Sequence, residues 1–172
     1  DAHRIEQHLR ERWQYHVDEV AHWTPPAWRA AVRCFALLPD LMRLDARQRA
    51  AGEPAATAAR AAASTRTRTS ADDAAIRWSA LWRRRLPSEA RGVALLRQPA
   101  ECLLPRLIGA TTGRDASSGP ARAALRRLFR RHAGSAAAVF AYLALVALDL
   151  ERLRGGLVVR ALFDGGREPL AA

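Results

Sequence analysis

The chain has 172 residues, with 28 basic side chains against 17 acidic ones and a formal net charge of +11. Every basic residue apart from the histidines is arginine, since lysine is absent, and 38 residues are alanine. A content of 49% hydrophobic and 26% charged residues is typical of globular proteins and excludes disordered and fibrous classes. Because arginine and alanine are enriched along the whole chain, net charge alone is a weak indication of function.

The hydrophobic residues favour an all-α fold. Of 85 such residues 38 are alanine, and the apolar β-branched residues are limited to eight valines and three isoleucines. Alanine is the best helix former and lets helices approach closely, whereas strands depend on β-branched and aromatic side chains. We therefore predict an antiparallel helical bundle that forms one domain overall.

Residues 1–51 are predicted to form an N-terminal helical hairpin. The first helix covers about residues 2–23, because apolar residues recur there at helical spacing. Its apolar face comprises Ile5, Leu9, Trp13, Val17 and Val20. Thr24, Pro25 and Pro26 end this helix and begin the next, since threonine caps helices and proline is tolerated in a first turn. The second helix has an apolar face of Trp28, Val32, Phe35 and Leu38, and Pro39 predicts a kink.

Residues 52–70 are predicted to be a flexible linker. This stretch consists of alanine, threonine, serine, arginine and a few other small or polar residues, without any large apolar side chain. Such a segment has nothing to bury in a core.

Residues 71–172 are predicted to form a C-terminal helical bundle. A helix resumes at about residue 71 and ends near Pro87, with apolar residues Ile76, Trp78, Leu81 and Trp82. Shorter helical pieces at 88–97 and 100–108, a polar loop at 109–120 and a helix pair at 120–131 and 135–163 follow. Large residues of the last helix recur at alternating three- and four-residue steps, which predicts a seam packed along its length. That seam comprises Val139, Tyr142, Val146, Leu150, Leu153 and Leu157.

A short pattern occurs near both ends of the chain. Residues 40–44 read Asp-Leu-Met-Arg-Leu and residues 149–153 read Asp-Leu-Glu-Arg-Leu, each after an apolar run. Self-similarity of this kind indicates repeated structural units. The bundle is therefore predicted to consist of repeated helical units.

The C-terminal copy, within residues 138–164, resembles the last repeat of the central-stalk subunit of V- and A-type ATPases, called subunit d or C. The final helix of that family has a tyrosine, an acidic residue seven positions later, and then an aliphatic–arginine pair. Tyr142, Asp149, Leu153 and Arg154 stand at these positions. Family members are considerably longer than this chain, and the resemblance covers about 27 residues.

The sequence also departs from the family inside the motif. Where the family usually has a lysine–acidic pair and an asparagine, this chain has Val146, Ala147 and Arg152. The family itself is built from repeated helical units, so the resemblance also accounts for the N-terminal copy of the pattern.

The resemblance implies a non-catalytic subunit that docks a rotating shaft onto a membrane-embedded proteolipid ring. The partners would be the ring and the other shaft subunits, and the protein would be cytoplasmic and peripheral on the membrane. In that role Tyr142, Leu153 and Leu157 would be packing residues. Asp149 and Arg154 would pair with neighbouring helices or with a partner, and Arg152 belongs to the same predicted interaction surface.

No catalytic, cofactor or metal site is predicted. Glu19 and His22 form one Glu-x-x-His step, with His16 close by, but a di-iron bundle needs a second such step and further carboxylates. A Gly-x-Ser-x-Gly nucleophile motif and a phosphate-binding loop with its lysine are absent from the sequence. Cys34 and Cys102 lie in apolar stretches, which predicts reduced, buried thiols.

The arginine clusters support an alternative function. They comprise Arg83, Arg84 and Arg85 in one group and Arg126, Arg127, Arg130 and Arg131 in the other. Such clusters neutralise phosphates, attract anionic membrane surfaces or bind acidic proteins. The alternative is therefore a basic helical nucleic-acid-binding or protein-interaction domain. The longest uncharged stretch has 16 residues, short of the ~20 needed to cross a bilayer, so no transmembrane helix is predicted.

Overall fold

The computed structural model describes residues 2–39, 41, 73–90, 93–111 and 119–164. Its helices are α1 (Ala2–Trp23), α2 (Pro26–Arg33), α3 (residues 73–85), α4 (Ala94–Thr111), α5 (Gly119–Arg131) and α6 (Ala136–Asp164). Two 3₁₀ turns lie at Cys34–Leu37 and Ser88–Ala90. These ranges contain no strand, so the all-α prediction is confirmed.

Helices α1 and α2 pack against each other. Trp13 contacts Phe35, and Asp18, which lies further along α1, pairs with the earlier residue Arg33. The two helices therefore run in opposite directions. Thr24 acts differently from the prediction. It does not cap α2, whose N-cap is Pro25 without a side-chain hydrogen bond, and its hydroxyl donates back to the Val20 carbonyl at 2.7 Å. Thr24 therefore closes α1, and proline geometry alone starts α2.

Pro39 acts through the turn before it. Proline has no N–H, so the Phe35 carbonyl four residues earlier lacks its usual α-helical donor. The chain tightens into the 3₁₀ turn Cys34–Leu37, where the Leu38 N–H donates to the Phe35 carbonyl, and helical residues 38, 39 and 41 follow. Indole N–H groups from two other helices also reach this turn: Trp13 donates to the Phe35 carbonyl at 2.9 Å and Trp78 to the Cys34 carbonyl at 2.8 Å.

An aromatic cluster around Phe35 forms the centre of the core. The Phe35 ring stacks with Phe140 at 5.8 Å and meets Trp78 and Trp82 edge-on at 5.3 and 6.4 Å. All four side chains are buried, and they come from the turn after α2, from α3 and from α6. The predicted core positions Trp78 and Trp82 are confirmed. Ile76, an apolar residue of the same helix, is 63% exposed.

Helix α4 differs from the sequence prediction. We predicted two short pieces at 88–97 and 100–108, but the chain forms a 3₁₀ turn at Ser88–Ala90 and then one helix that passes through Pro99 and Pro105. Each proline removes one backbone hydrogen bond at a cost of roughly 3 kcal/mol. Burial offsets this cost, since Pro99, Leu103 and Leu107 pack inside the core.

Helices α5 and α6 are joined by a tight turn with Gly134 at φ +83°. The His132 N–H donates to the Leu128 carbonyl, and the Ser135 hydroxyl donates to the His132 carbonyl at 2.7 Å. Because the turn is short, α5 and α6 run antiparallel, as do α1 and α6. Near the start of α1, Glu6 pairs with Arg154 of α6, and further along α1, His16 lies against the earlier α6 residue Tyr142.

The buried face of α6 is not the predicted seam. Its fully buried residues are Ala137, Ala138, Phe140, Ala141, Leu143, Ala144, Ala147 and Leu148. In the predicted seam, Tyr142 is 36% exposed and Leu153 is 57% exposed. Val139, Val146, Leu150 and Leu157 are half-buried. α6 contacts α1, α4 and α5, and alanine positions permit this close approach on several sides.

Three sequence predictions lie wholly or mostly outside the described residues. They are the linker at 52–70, the N-terminal Asp-Leu-x-Arg-Leu copy at 40–44 and the polar loop at 109–120, whose described ends are helical. Within the described ranges, no helix is long and apolar enough to cross a membrane.

Candidate interaction surfaces

Three residues of the stalk-like motif contact neighbouring helices. The Tyr142 hydroxyl lies 3.0 Å from His16 Nε2 on α1, and Asp149 forms an ion pair with Arg122 on α5. Arg154 Nε lies 3.0 Å from a Glu6 carboxylate oxygen on α1. The motif residues thus hold α6 between α1 and α5.

The same motif also produces an exposed stripe on α6. Tyr142, Asp149, Leu153 and Arg160 follow one another at steps of seven, four and seven residues and are all exposed. These spacings return to nearly the same side of a helix. We call these four residues the α6 stripe. Arg152 is exposed beside it, while Leu157 is half-buried at its edge.

A small cavity with a mainly apolar lining lies between α1 and the C-terminal half of α6. Its polar wall consists of Glu6, Arg10, Glu151 and Arg154. Its apolar wall comprises Leu9, Trp13, Leu38, Pro39, Ala147 and Leu150. The cavity volume is about 40 Å³, which holds a few water molecules and is far below the roughly 300 Å³ of a small-molecule site. This cavity therefore cannot accommodate a cofactor.

The charges in the cavity wall are coupled. Arg154 Nη1 lies 3.4 Å from Glu151, and Arg10 Nη2 lies 3.9 Å from Glu6. Burial raises the pKa of the Glu151 carboxyl, the charge of Glu6 raises it further, and Arg154 opposes both. The cluster joins α1 to α6 beyond the aromatic core. Sequence reasoning missed Glu6 and Glu151, because no sequence spacing relates α1 to α6.

His16, Glu19 and His22, the residues considered for a metal site, do not form a set of metal ligands. His16 Nδ1 lies 4.0 Å from Glu19, while its Nε2 is taken by the Tyr142 hydroxyl. In the part of the chain that the structure describes, no three histidine, cysteine or acidic side chains converge in a way that could hold an ion.

Both cysteines are free thiols; Cys34 is buried as predicted, whereas Cys102 is only half-buried. Burial raises the pKa of the Cys34 thiol, and nearby Arg85 partly opposes this shift. Burial also raises the pKa of Cys102, with a further increase from Glu101. A raised pKa lowers the thiolate fraction, which is the reactive form. Neither thiol is therefore activated as a nucleophile.

The two arginine clusters lie on different helices. Arg83, Arg84 and Arg85 are exposed at the C-terminal end of α3, where Arg83 donates to the Ser79 carbonyl. The second cluster, on α5, is also exposed.

The charge on α5 is largely uncompensated. The helix contains five arginines and no acidic residue. Arg122 is paired with Asp149, but no described carboxylate forms an ion pair with the other four. We call Arg126, Arg127, Arg130 and Arg131 the α5 basic face.

Exposed aromatic rings lie beside the α5 basic face. Phe129 is 42% exposed, and its ring centroid lies 6.4 Å from that of Tyr142. Tyr142 in turn contacts the His16 ring at 5.6 Å. These rings connect the α5 basic face to the α6 stripe. The sequence alone placed Phe129 among the apolar residues of α5 without indicating its exposure.

No protein family, curated protein or solved structure compared with this chain matches it.

Proposed function

We propose that this protein is a non-catalytic coupling subunit, similar in role to the central-stalk subunit of V- and A-type ATPases. In this role it docks a rotating shaft onto a proteolipid ring, and torque passes through side-chain packing. The observation that carries the proposal is the α6 stripe. Its residues Tyr142, Asp149 and Leu153 are also residues on which the resemblance rests, and they are exposed together on one side of a long helix.

Leu153 is the natural docking residue of this stripe. It is 57% exposed, and exposed Arg152 lies next to it. An exposed leucine gains free energy when a partner covers it, up to about 1.5 to 3 kcal/mol for complete burial. Asp149 and Arg154 are paired within the chain, so they set the position of α6 and leave Leu153 to contact the partner.

The chemistry of the described residues supports a non-catalytic role. The thiols have raised pKa values, and the cavity between α1 and α6 is too small for a substrate. Transfer of force through a subunit requires rigid helices and complementary surfaces rather than a reactive group. The buried aromatic cluster and the ion pairs between helices supply such rigidity.

The proposal is tested by affinity purification of the tagged full chain from its native cell. We expect ATPase shaft and ring subunits to be recovered with it, and Leu153→Asp to abolish their recovery. The matched control is Ile76→Asp, since Ile76 is also an exposed apolar residue but lies on α3. Recovery of no ATPase subunit with the unaltered chain, or equal losses for both variants, would contradict the proposal.

Nucleic-acid binding is the alternative. The observation that favours it is the α5 basic face, whose four arginines have no ion-pair partner among the described residues. Gel-shift measurements with generic DNA and RNA test it, because binding through phosphates strengthens steeply as salt falls. A shift that Arg126→Gln and Arg130→Gln together remove would favour this function over the stalk role.

A further inference from the structure

We propose that the α5 basic face, together with Phe129 and Tyr142, binds the anionic phospholipid headgroups of a membrane surface. This site is separate from the stalk docking proposed for Leu153, and it does not depend on that role. Charge, the small side chains on the exposed side of α5 and the neighbouring aromatic rings support this site.

The charge of the α5 basic face favours an anionic partner. On α5 the four arginines of the basic face occupy the last two turns, and all of them are exposed. They project from about 140° of the helix circumference, because consecutive residues differ by ~100°. The same side of α5 carries Gly119, Pro120 and Ala123 towards its N-terminus, all exposed and all small. The arginines at the C-terminal end of α5 and the small residues at its N-terminal end therefore lie on one side of the helix. Such a side allows a planar anionic surface to approach closely.

The aromatic rings distinguish a lipid surface from a nucleic acid. Single-stranded nucleic acids are bound by bases that stack on open ring faces. Here the rings form a tilted row, with 41° between Phe129 and Tyr142 and 59° between Tyr142 and His16. Each of these rings contacts a neighbouring ring, and Phe129 and Tyr142 are each less than half exposed, which leaves less open ring face for a stacked base. Amphipathic aromatic rings beside cationic side chains are typical of membrane interfaces.

The expected affinity is modest. Each arginine near an anionic surface strengthens binding about fivefold, so four arginines give a contribution of several hundredfold that weakens as salt is added. This is comparable to weak, reversible anchors, which need a second contact for stable attachment. A docked stalk subunit would have such a second contact, and a free chain would exchange rapidly.

The test is co-sedimentation of the full chain with two kinds of vesicle. One contains phosphatidylserine in phosphatidylcholine, and the other is phosphatidylcholine alone. We expect binding to the first kind that weakens with salt and little binding to the second. Arg126→Gln with Arg130→Gln lowers the partition coefficient about 25-fold, and Phe129→Ser lowers it several-fold.

The matched control is Arg83→Gln with Arg85→Gln, which removes the same charge from α3. We expect it to change the partition coefficient less than about threefold. Circular dichroism verifies that all variants remain folded. Equal losses for the two double variants would show a net-charge effect and overturn the site. So would equal binding to both vesicle types, or binding through these arginines to oligonucleotides without binding to vesicles. Loss of ATPase subunits in the purification experiment leaves these outcomes unchanged, so the two proposals fail separately.

Discussion

Replacing Trp78 or Trp82 with phenylalanine tests what holds the turn after α2. The two indoles lie on one face of α3, stack on each other at 5.9 Å with nearly parallel rings, and are both buried. They differ in one respect. Trp78 Nε1 donates to the Cys34 carbonyl at 2.8 Å, while Trp82 Nε1 is buried with no hydrogen-bond acceptor.

Both substitutions remove the same atoms. Shrinking a buried ring costs transfer and cavity free energy, about 1 to 2 kcal/mol in each case. Trp78→Phe also loses a buried hydrogen bond, worth about 1 kcal/mol, and takes a donor from a buried carbonyl. Trp82→Phe removes an unsatisfied buried N–H, which recovers about 1 kcal/mol or more. We therefore expect Trp78→Phe to lower the free energy of unfolding by about 2 kcal/mol more than Trp82→Phe.

Urea denaturation followed by far-ultraviolet circular dichroism measures this difference. With a urea m-value of about 2 kcal/mol/M, the midpoint of Trp78→Phe should lie about 1 M below that of Trp82→Phe. Trp13→Phe should behave like Trp78→Phe, because Trp13 donates to the next carbonyl of the same turn. Equal midpoints, or a lower midpoint for Trp82→Phe, would refute the role assigned to the indole hydrogen bonds.

Three further predictions concern single positions. Gly134→Ala should destabilise the protein by about 1 kcal/mol because Gly134 has a positive φ, whereas Gly155→Ala in α6 should stabilise it by a similar amount; denaturation midpoints that move in the same direction would contradict this. Burial raises the pKa of Glu151 above its ordinary value of 4.5. The protonated carboxyl therefore contributes to the free energy of unfolding below pH 4.5, and this contribution is lost as the pH rises through the pKa of Glu151 in the folded protein. Glu151→Gln should therefore be at least as stable as the parent at neutral pH, with the gap closing in acid, and a clear loss at neutral pH would refute the sign. Iodoacetamide should modify half-buried Cys102 of the native chain before fully buried Cys34, as mass spectrometry of peptides would show; the reverse order would contradict the burial of Cys34.

The described helices and most of their ends could be predicted from local patterns. The apolar spacing predicted helices at about 2–23 and 135–163, within about a residue of the observed bounds of α1 and α6. The prediction failed in α4, where Pro99 and Pro105 indicated a break. Local rules count the lost hydrogen bonds of a proline but not the burial of its ring, and Pro99 is fully buried.

The candidate surfaces were predictable in part. The exposure of the arginines on α5 follows from the amphipathic pattern of that helix, with Leu125 and Leu128 on its buried side. The pairing of Arg122 with Asp149 and of His16 with Tyr142 could not be predicted, since each joins residues far apart in sequence. The choice between a stalk surface, a lipid surface and a nucleic-acid surface depends on such pairings, because they decide which charges and rings remain exposed.

The sequence by itself determined that this chain is helical, where most of its described helices lie, and that its core relies on alanine. Helix propensity and apolar periodicity depend on residues close together in the sequence, so they can be assessed without knowledge of the tertiary structure. Only the tertiary structure decided which side of α6 is buried. The predicted seam of three- and four-residue steps assumes that α6 packs against one partner helix, but α6 contacts α1, α4 and α5. Alanines of α6 therefore face the core, while Tyr142 and Leu153 face outward. Tyr142 and Leu153 thereby became part of the exposed surface on which the stalk proposal rests, and Tyr142 also borders the α5 basic face.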